Sequence, residues 1–302
     1  MDTSIQIKRT SVLKGEASLL PASKSISNRV LIINALAGGQ SDLRNLSDAN
    51  DTQLMLRLVS SKDRVIDVED AGTTMRFLTA YFAVTNQEKI LTGTARMKER
   101  PIGILVDALK NLGCDITYLE KEGFPPHEIK GFSGQKTDTI RIRGDISSQY
   151  ISALMMVAPI LPKGLKLILE GKVGSRPYID MTASLMKHFG VDPNVFADHM
   201  VIGRQDYKPT SFTVESDWSA ASYWFAFTAL AKEAEIILPK LLANSLQGDS
   251  AVLKIMEQMG VKAEFHDGAL KLFKIESQSE IKWDFTHCPD LAQTVAVVCA
   301  AK

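Results

Sequence analysis

The chain has 302 residues, 45% hydrophobic and 23% charged, and its 35 Lys and Arg balance its 35 Asp and Glu. These proportions exclude disordered and fibrous classes and allow two domains, each with its own core. Without net charge there is no long-range field to draw the chain to nucleic acid or an anionic membrane, so any anion site must be a local cluster.

Residues 1 to 25 mix charges with short apolar stretches and contain no signal-type apolar core. The longest apolar run, Ile151 to Leu161, is about half of what a membrane span requires. A cytoplasmic protein is expected. Cys114, Cys288 and Cys299 are far apart in apolar surroundings, which predicts buried thiols rather than disulfides or zinc ligands. The five histidines lack ligand spacing, so no metal is expected.

The predicted elements form two interleaved series. In chain order, SKSISNRVLIINALA from Ser23, AGTTMRFLTAYFAV from Ala71, ISSQYISALMMVAPI from Ile146, SDWSAASYWFAFTALA from Ser216 and CPDLAQTVAVVCAA from Cys288 are helices that open on small polar residues. They are apolar nearly all round, which predicts that each is buried in its domain with only its N-terminus at the solvent. Between them run ERPIGILVDALKNLGCD, SRPYIDMTASLMKHFGVD and SLQGDSAVLKIMEQMGVK, amphipathic helices stopped by Gly113, Gly190 and Gly260. A short alternating run broken by turn residues follows each stop and reads as a β-hairpin. The glycines are 77 and 70 residues apart (113 to 190, 190 to 260), which defines an α/β repeat of that length.

Buried helices that bring unpaired N–H groups and positive dipole ends to one region form an anion site by architecture. Capping alone accounts for Ser or Thr at one such start. Five starts of one kind, with Lys24, Arg29, Arg76 and Arg100 among them, favour the anion site. Arg76 is read as a structural ion-pair partner, and Asp290, at a helix start, would also serve as an ordinary cap.

LPASKSISNR (20–29), AGTTMR (71–76), RMKERPIG (96–103), SSQY (147–150) and SRPYID (175–180) resemble, in order and spacing, the signatures of the 5-enolpyruvylshikimate-3-phosphate synthase family. The resemblance covers nearly the whole chain. It implies an α/β fold of two domains built from βαβαββ units: residues 20–213 as the shikimate-3-phosphate domain, and residues 1–19 with 214–302 as a second domain, with the active site between them. It further implies enolpyruvyl transfer from phosphoenolpyruvate to shikimate-3-phosphate, with release of phosphate, by a monomer that needs no cofactor.

By the same resemblance, Lys24, Ser25, Arg29, Ser147, Ser148, Gln149, Ser175, Tyr178 and Asp290 bind shikimate-3-phosphate. Lys24, Gly72, Thr73, Arg100 and Gln149 bind phosphoenolpyruvate, and Asp290 and Lys24 are the catalytic pair. Both substrates are polyanions, and fixed cations with many donors are what such a pair requires. Asp70 stands where the family commonly has Asn, which puts a negative charge near an anion.

The family's chain runs on past the equivalent of Lys302 into a Lys-Glu-Thr-Asp-Arg motif, so a truncated second domain and no turnover by this polypeptide alone are expected. One alternative is a binding-only fragment. Another is the enolpyruvyl transferase acting on UDP-N-acetylglucosamine, which lacks this Ser-Lys-Ser and Ser-Ser-Gln pairing. A nucleotide binder is disfavoured by the lack of Walker or Rossmann glycines.

Overall fold

The computed structural model describes residues 10–302, so residues 1–9 of the expected second domain lie outside the described residues. Two compact units emerge, one continuous (Ala22–Val214) and one discontinuous (Met1–Pro21 with Glu215–Lys302).

The chain opens with β1 (Val12–Glu16), α1 (Lys24–Leu36), β2 (Asp42–Arg44) and α2 (Asn50–Leu58). A first full repeat follows: β3 (Val65–Asp67), α3 (Gly72–Val84), β4 (Lys89–Thr92), the short α4 (Ala95–Lys98), α5 (Gly103–Leu112), β5 (Cys114–Tyr118) and β6 (His127–Phe132). A second comprises β7 (Thr139–Arg143), α6 (Ser148–Val157), β8 (Leu165–Glu170), α7 (Arg176–His188), β9 (Asn194–Val195) and β10 (His199–Ile202). After β11 (Ser211–Thr213) come α8 (Trp218–Leu230), β12 (Glu233–Pro239), α9 (Val252–Gln258), β13 (Val261–His266), β14 (Ala269–Lys274) and α10 (Leu291–Ala301).

Each four-stranded sheet has the same order: β3-β4-β6-β5, β7-β8-β10-β9 and β1-β12-β14-β13. The first two strands are parallel and the rest antiparallel. A parallel pair needs a helical crossover and an antiparallel one only a turn, which is why helices and hairpins alternate along the chain. The third sheet takes its first strand from the chain's beginning, where β1 runs parallel to β12, while β11, the strand just before α8, pairs with β2. That exchange is why the discontinuous unit has two segments.

Local signals account for the helix ends. Ser23 caps α1 by accepting from the Ile26 N–H, and the Asp217 carboxylate accepts from the Ala220 N–H at 2.8 Å to start α8. Gly113, Gly190 and Gly260 stop their helices at φ of 116°, 85° and 91°. At Gly113 a Cβ would lie 2.1 Å from the Gly134 carbonyl oxygen, so only glycine fits.

In the continuous unit α1, α3 and α6 pack on one another and bury Val30, Ile32, Phe77, Leu78, Phe82, Ile151 and Leu154 completely. Each such side chain contributes about 1.5–3 kcal/mol. The expectation of helices apolar all round and wholly buried holds here but fails for α8 and α10. Those two pack together, yet Tyr223 and Phe227 remain 50% and 51% exposed and Val297 62%. With Ala226, Leu230, Gln293 and Thr294 they line an apolar groove of about 250 Å³. α1, α3 and α6 are also packed against α2, α5 and α7, whereas Tyr223, Phe227 and Val297 stay open.

Cys114 and Cys288 are buried as expected, and burial pushes the Cys114 thiol up to about 12. Cys299, also expected to be buried, is instead exposed on α10. Among the described residues no helix is long and apolar enough to cross a membrane.

Candidate active site

The start of α1 sets the first part of the site. Lys24 is its exposed first residue, and Ser25 is half-buried behind it. One turn on, Arg29 is buried at 2% exposure. Its Nε donates to Thr182 Oγ1 at 2.8 Å, one Nη to the Ser25 carbonyl at 2.8 Å and the other to Ser152 Oγ at 3.0 Å. Its guanidinium also lies 5.5 Å from the Phe77 ring centre and 5.6 Å from that of Tyr178. Burial lowers its pKa to about 10, which still leaves it charged at neutral pH. Three of a guanidinium's five N–H groups are used in these bonds, so two are left.

The partners Ser152 and Thr182 were not picked out from the sequence. The available signal was spacing: each stands four residues beyond a candidate, Ser148 and Tyr178, on the same helix face.

The starts of α3 and α6 meet next to this cluster, and Gln149 Nε2 donates to Thr73 Oγ1 at 3.1 Å. Ser147 occupies the cap of α6 and accepts from the Gln149 N–H, while Ser148 is buried just inside the helix. Gly72 is the first residue of α3, and the Arg100 guanidinium lies over its Cα: a Cβ there would be 2.3 Å from Nη1. Burial and the neighbouring Arg76 charge lower the Arg100 pKa. Asp70 is exposed and takes a short hydrogen bond from the Thr94 hydroxyl, while its carbonyl accepts from Arg100 at 3.3 Å.

Arg76 corrects one expectation. Instead of forming an ion pair, it donates to the carbonyls of Gly72 (2.8 Å) and Pro101 (3.3 Å) and sits 5.3 Å from the Tyr150 ring centre. Backbone carbonyl oxygens accept from a buried guanidinium without an acid. Among the described residues no carboxylate is ion-paired with Arg29, Arg76 or Arg100.

α7 supplies Ser175 and Tyr178. Ser175 precedes the helix with φ 50° and ψ 38°, and its side chain makes no cap hydrogen bond. Tyr178 is half-buried against Arg29, and its carbonyl accepts from the Thr182 hydroxyl at 2.7 Å.

Within the discontinuous unit, Asp290 is exposed at the start of α10 and does not cap it. Ser222 and Thr294 hydroxyls join α8 to α10 at 3.1 Å. Asp249, which sequence reasoning missed, is buried and takes a short hydrogen bond from the Ser219 hydroxyl. Burial pushes its pKa up to about 6, and the Asp290 and Asp217 charges act in the same direction.

The continuous unit therefore has Ser25 and Arg29 on α1, Gly72 and Thr73 on α3, Ser148 and Gln149 on α6 and Ser175 and Tyr178 at α7, with Arg100 over the start of α3, a cationic cluster suited to anions. The fold is similar to that of the solved EPSP synthase of Acinetobacter baumannii, with a TM-score of 0.77 and 18% identity over 95% of this chain and 71% of that one. The class is thus that of the two-domain enolpyruvyl transferase fold. In sequence the chain is 48% identical to the 3-phosphoshikimate 1-carboxyvinyltransferase of Bacteroides fragilis strain YCH46, over 93% of this chain and 69% of that protein. To the one from Vibrio campbellii it is 37% identical, over 97% of this chain and 75% of the relative. Residues 7–62 and 58–302 match the EPSP synthase (3-phosphoshikimate 1-carboxyvinyltransferase) family, and the chain belongs to it.

Proposed function

We propose that this protein transfers the enolpyruvyl group of phosphoenolpyruvate to shikimate-3-phosphate and releases inorganic phosphate. Membership of the family supports the reaction. The structural observation that carries the reading is a set of arginines, Arg29 and Arg76 in the second turns of α1 and α3 and Arg100 over the start of α3, held by hydroxyls, carbonyls and rings in place of acids. Their charge remains available to polyanionic substrates.

In this reading Ser147, Ser148 and Ser175 donate to the phosphate of shikimate-3-phosphate, Ser25 and Arg29 to its carboxylate, and Gln149 and Tyr178 frame the ring. Arg29 reaches the carboxylate through its two remaining N–H groups. Gly72, Thr73 and Arg100 hold phosphoenolpyruvate, with Gly72 letting a backbone N–H come close to the anion. Lys24 offsets negative charge on either substrate.

The chemistry is addition and elimination. The substrate hydroxyl oxygen bonds to C2 of phosphoenolpyruvate as the methylene carbon takes a proton. The C2–O bond to phosphate then breaks, phosphate leaves with the electron pair, and loss of a methyl proton restores the double bond. Asp290 is assigned as acceptor of the hydroxyl proton.

Calorimetric titration with shikimate-3-phosphate, with unphosphorylated shikimate as control, tests the binding half. Saturable binding that depends on the phosphate is expected; no binding by folded protein would reject the assignment.

A further inference from the structure

Ser175 is a non-glycine residue with left-handed backbone, φ 50° and ψ 38°, at the position that would normally cap α7. That conformation is disfavoured for any residue with a Cβ and persists only where its surroundings impose it. It also has a consequence: the side chain makes no cap hydrogen bond to α7. The restraint upstream is one backbone bond, from the Gly174 N–H to the Gly144 carbonyl at 2.9 Å.

Downstream, the next residue makes three contacts. Arg176 Nε donates to Asp180 Oδ1 at 2.9 Å, one turn along the same helix, and its Nη1 donates to the carbonyls of Phe196 (3.0 Å) and Ala197 (3.4 Å). Those carbonyls belong to the turn between β9 and β10, which is closed by the Phe196 N–H to the His199 carbonyl at 2.8 Å and by stacking of the two rings 4.5 Å apart. The turn is anchored to β8 by the Leu169 N–H donating to the Asp198 carbonyl at 2.7 Å. One guanidinium therefore clamps the first turn of α7 to a fixed hairpin, using the planar fork that Lys lacks.

We infer that Arg176 is a positioning residue that holds Ser175 in its left-handed conformation, so that the serine hydroxyl is withheld from the helix and presented to the phosphate of the substrate. The inference rests on the proposed role of Ser175 as a phosphate donor.

Two measurements on the purified chain separate the two ideas. The first is calorimetric titration of the wild type and Arg176→Ala with shikimate-3-phosphate and with shikimate. The variant should lose about tenfold in affinity for the phosphorylated ligand, the equivalent of releasing one strained residue, and should keep its affinity for shikimate. Arg176→Lys, which keeps a charge near Asp180 but cannot span both partners, should fall between. Unchanged affinity for the phosphorylated ligand, or an equal loss for both ligands, would overturn the inference.

The second measurement needs no ligand. Amide hydrogen exchange over residues 175–179 should quicken in Arg176→Ala, and much less so when Ser175→Gly has already removed the strain. Exchange that ignores Arg176, or responds equally in both backgrounds, would also overturn it. Failure of the wild type to bind shikimate-3-phosphate would instead reject the phosphate site, with the exchange comparison still judging the clamp.

Discussion

The two units use the same repeat in opposite ways. In Ala22–Val214, helices α1, α3 and α6 close on one another and the buried charges are cations, Arg29, Arg76 and Lys89. In the discontinuous unit, α8 and α10 leave an apolar groove open and the buried charges are acids, Glu215 and Asp249. By composition α8 is the more apolar helix: WSAASYWFAFTAL carries no charge, whereas KSISNRVLIINAL in α1 carries two. Apolar content therefore does not decide burial; the elements packed around a helix do.

The largest expected effect sets the two cores against each other. Phe77→Ala should cost about 3–5 kcal/mol of stability, because it empties a fully enclosed site beneath Arg29. Phe227→Ala, on the open face of α8, should cost less than about 1 kcal/mol. Denaturant unfolding measures both, and equal costs would show that the groove is covered in solution.

Arg29→Ala should weaken shikimate-3-phosphate binding by about 3 kcal/mol, and Arg29→Lys should fail to restore it, because Lys cannot reach Thr182, Ser152 and a ligand together. Titration calorimetry decides this, and full rescue by Lys would reduce the residue to a simple charge.

The buried titratable groups predict opposite pH responses. Burial lowers the His127 pKa from 6.5 to about 4, so the unfolded chain binds the extra proton first and the continuous unit loses stability as pH falls from 6.5 towards 4. Asp249 is raised from 3.8 to about 6, so folding favours its protonated form: its contribution is fully present below 3.8 and is lost as pH rises through 6. His127→Leu and Asp249→Asn should flatten these slopes separately, each read by thermal melts with a probe in the relevant unit. Slopes of the same sign would break the contrast.

The smallest effect is expected at Gly72. Gly72→Ala must push the Arg100 guanidinium aside, a movement of a flexible side chain, so stability should change by less than about 1 kcal/mol. Phosphoenolpyruvate affinity should nonetheless fall about tenfold as the cation is displaced.

Much of the site was legible because its parts are local. SKSISNR, AGTTMR, SSQY and SRPYID each contain their own helix start, and helix starts present side chains by short-range rules. Gly113, Gly190 and Gly260 marked the stops through a backbone requirement that no distant residue can change. The partners of Arg29 and Arg76 were not legible: Thr182 lies 153 residues from Arg29, and a carbonyl partner leaves no mark in the sequence.

The sequence by itself determined the repeat, the order of helices and hairpins, and the polar groups that open each buried helix, since all of these follow from periodicity and turn chemistry within a few residues. Only the tertiary structure decided that β1 joins β12 while β11 joins β2, that α8 and α10 keep an open face, and that Ser175 is left-handed beside an Arg176 bonded to the β9–β10 turn. Strand partners, helix coverage and backbone strain all depend on contacts between segments far apart in the chain, and local pattern carries no record of them.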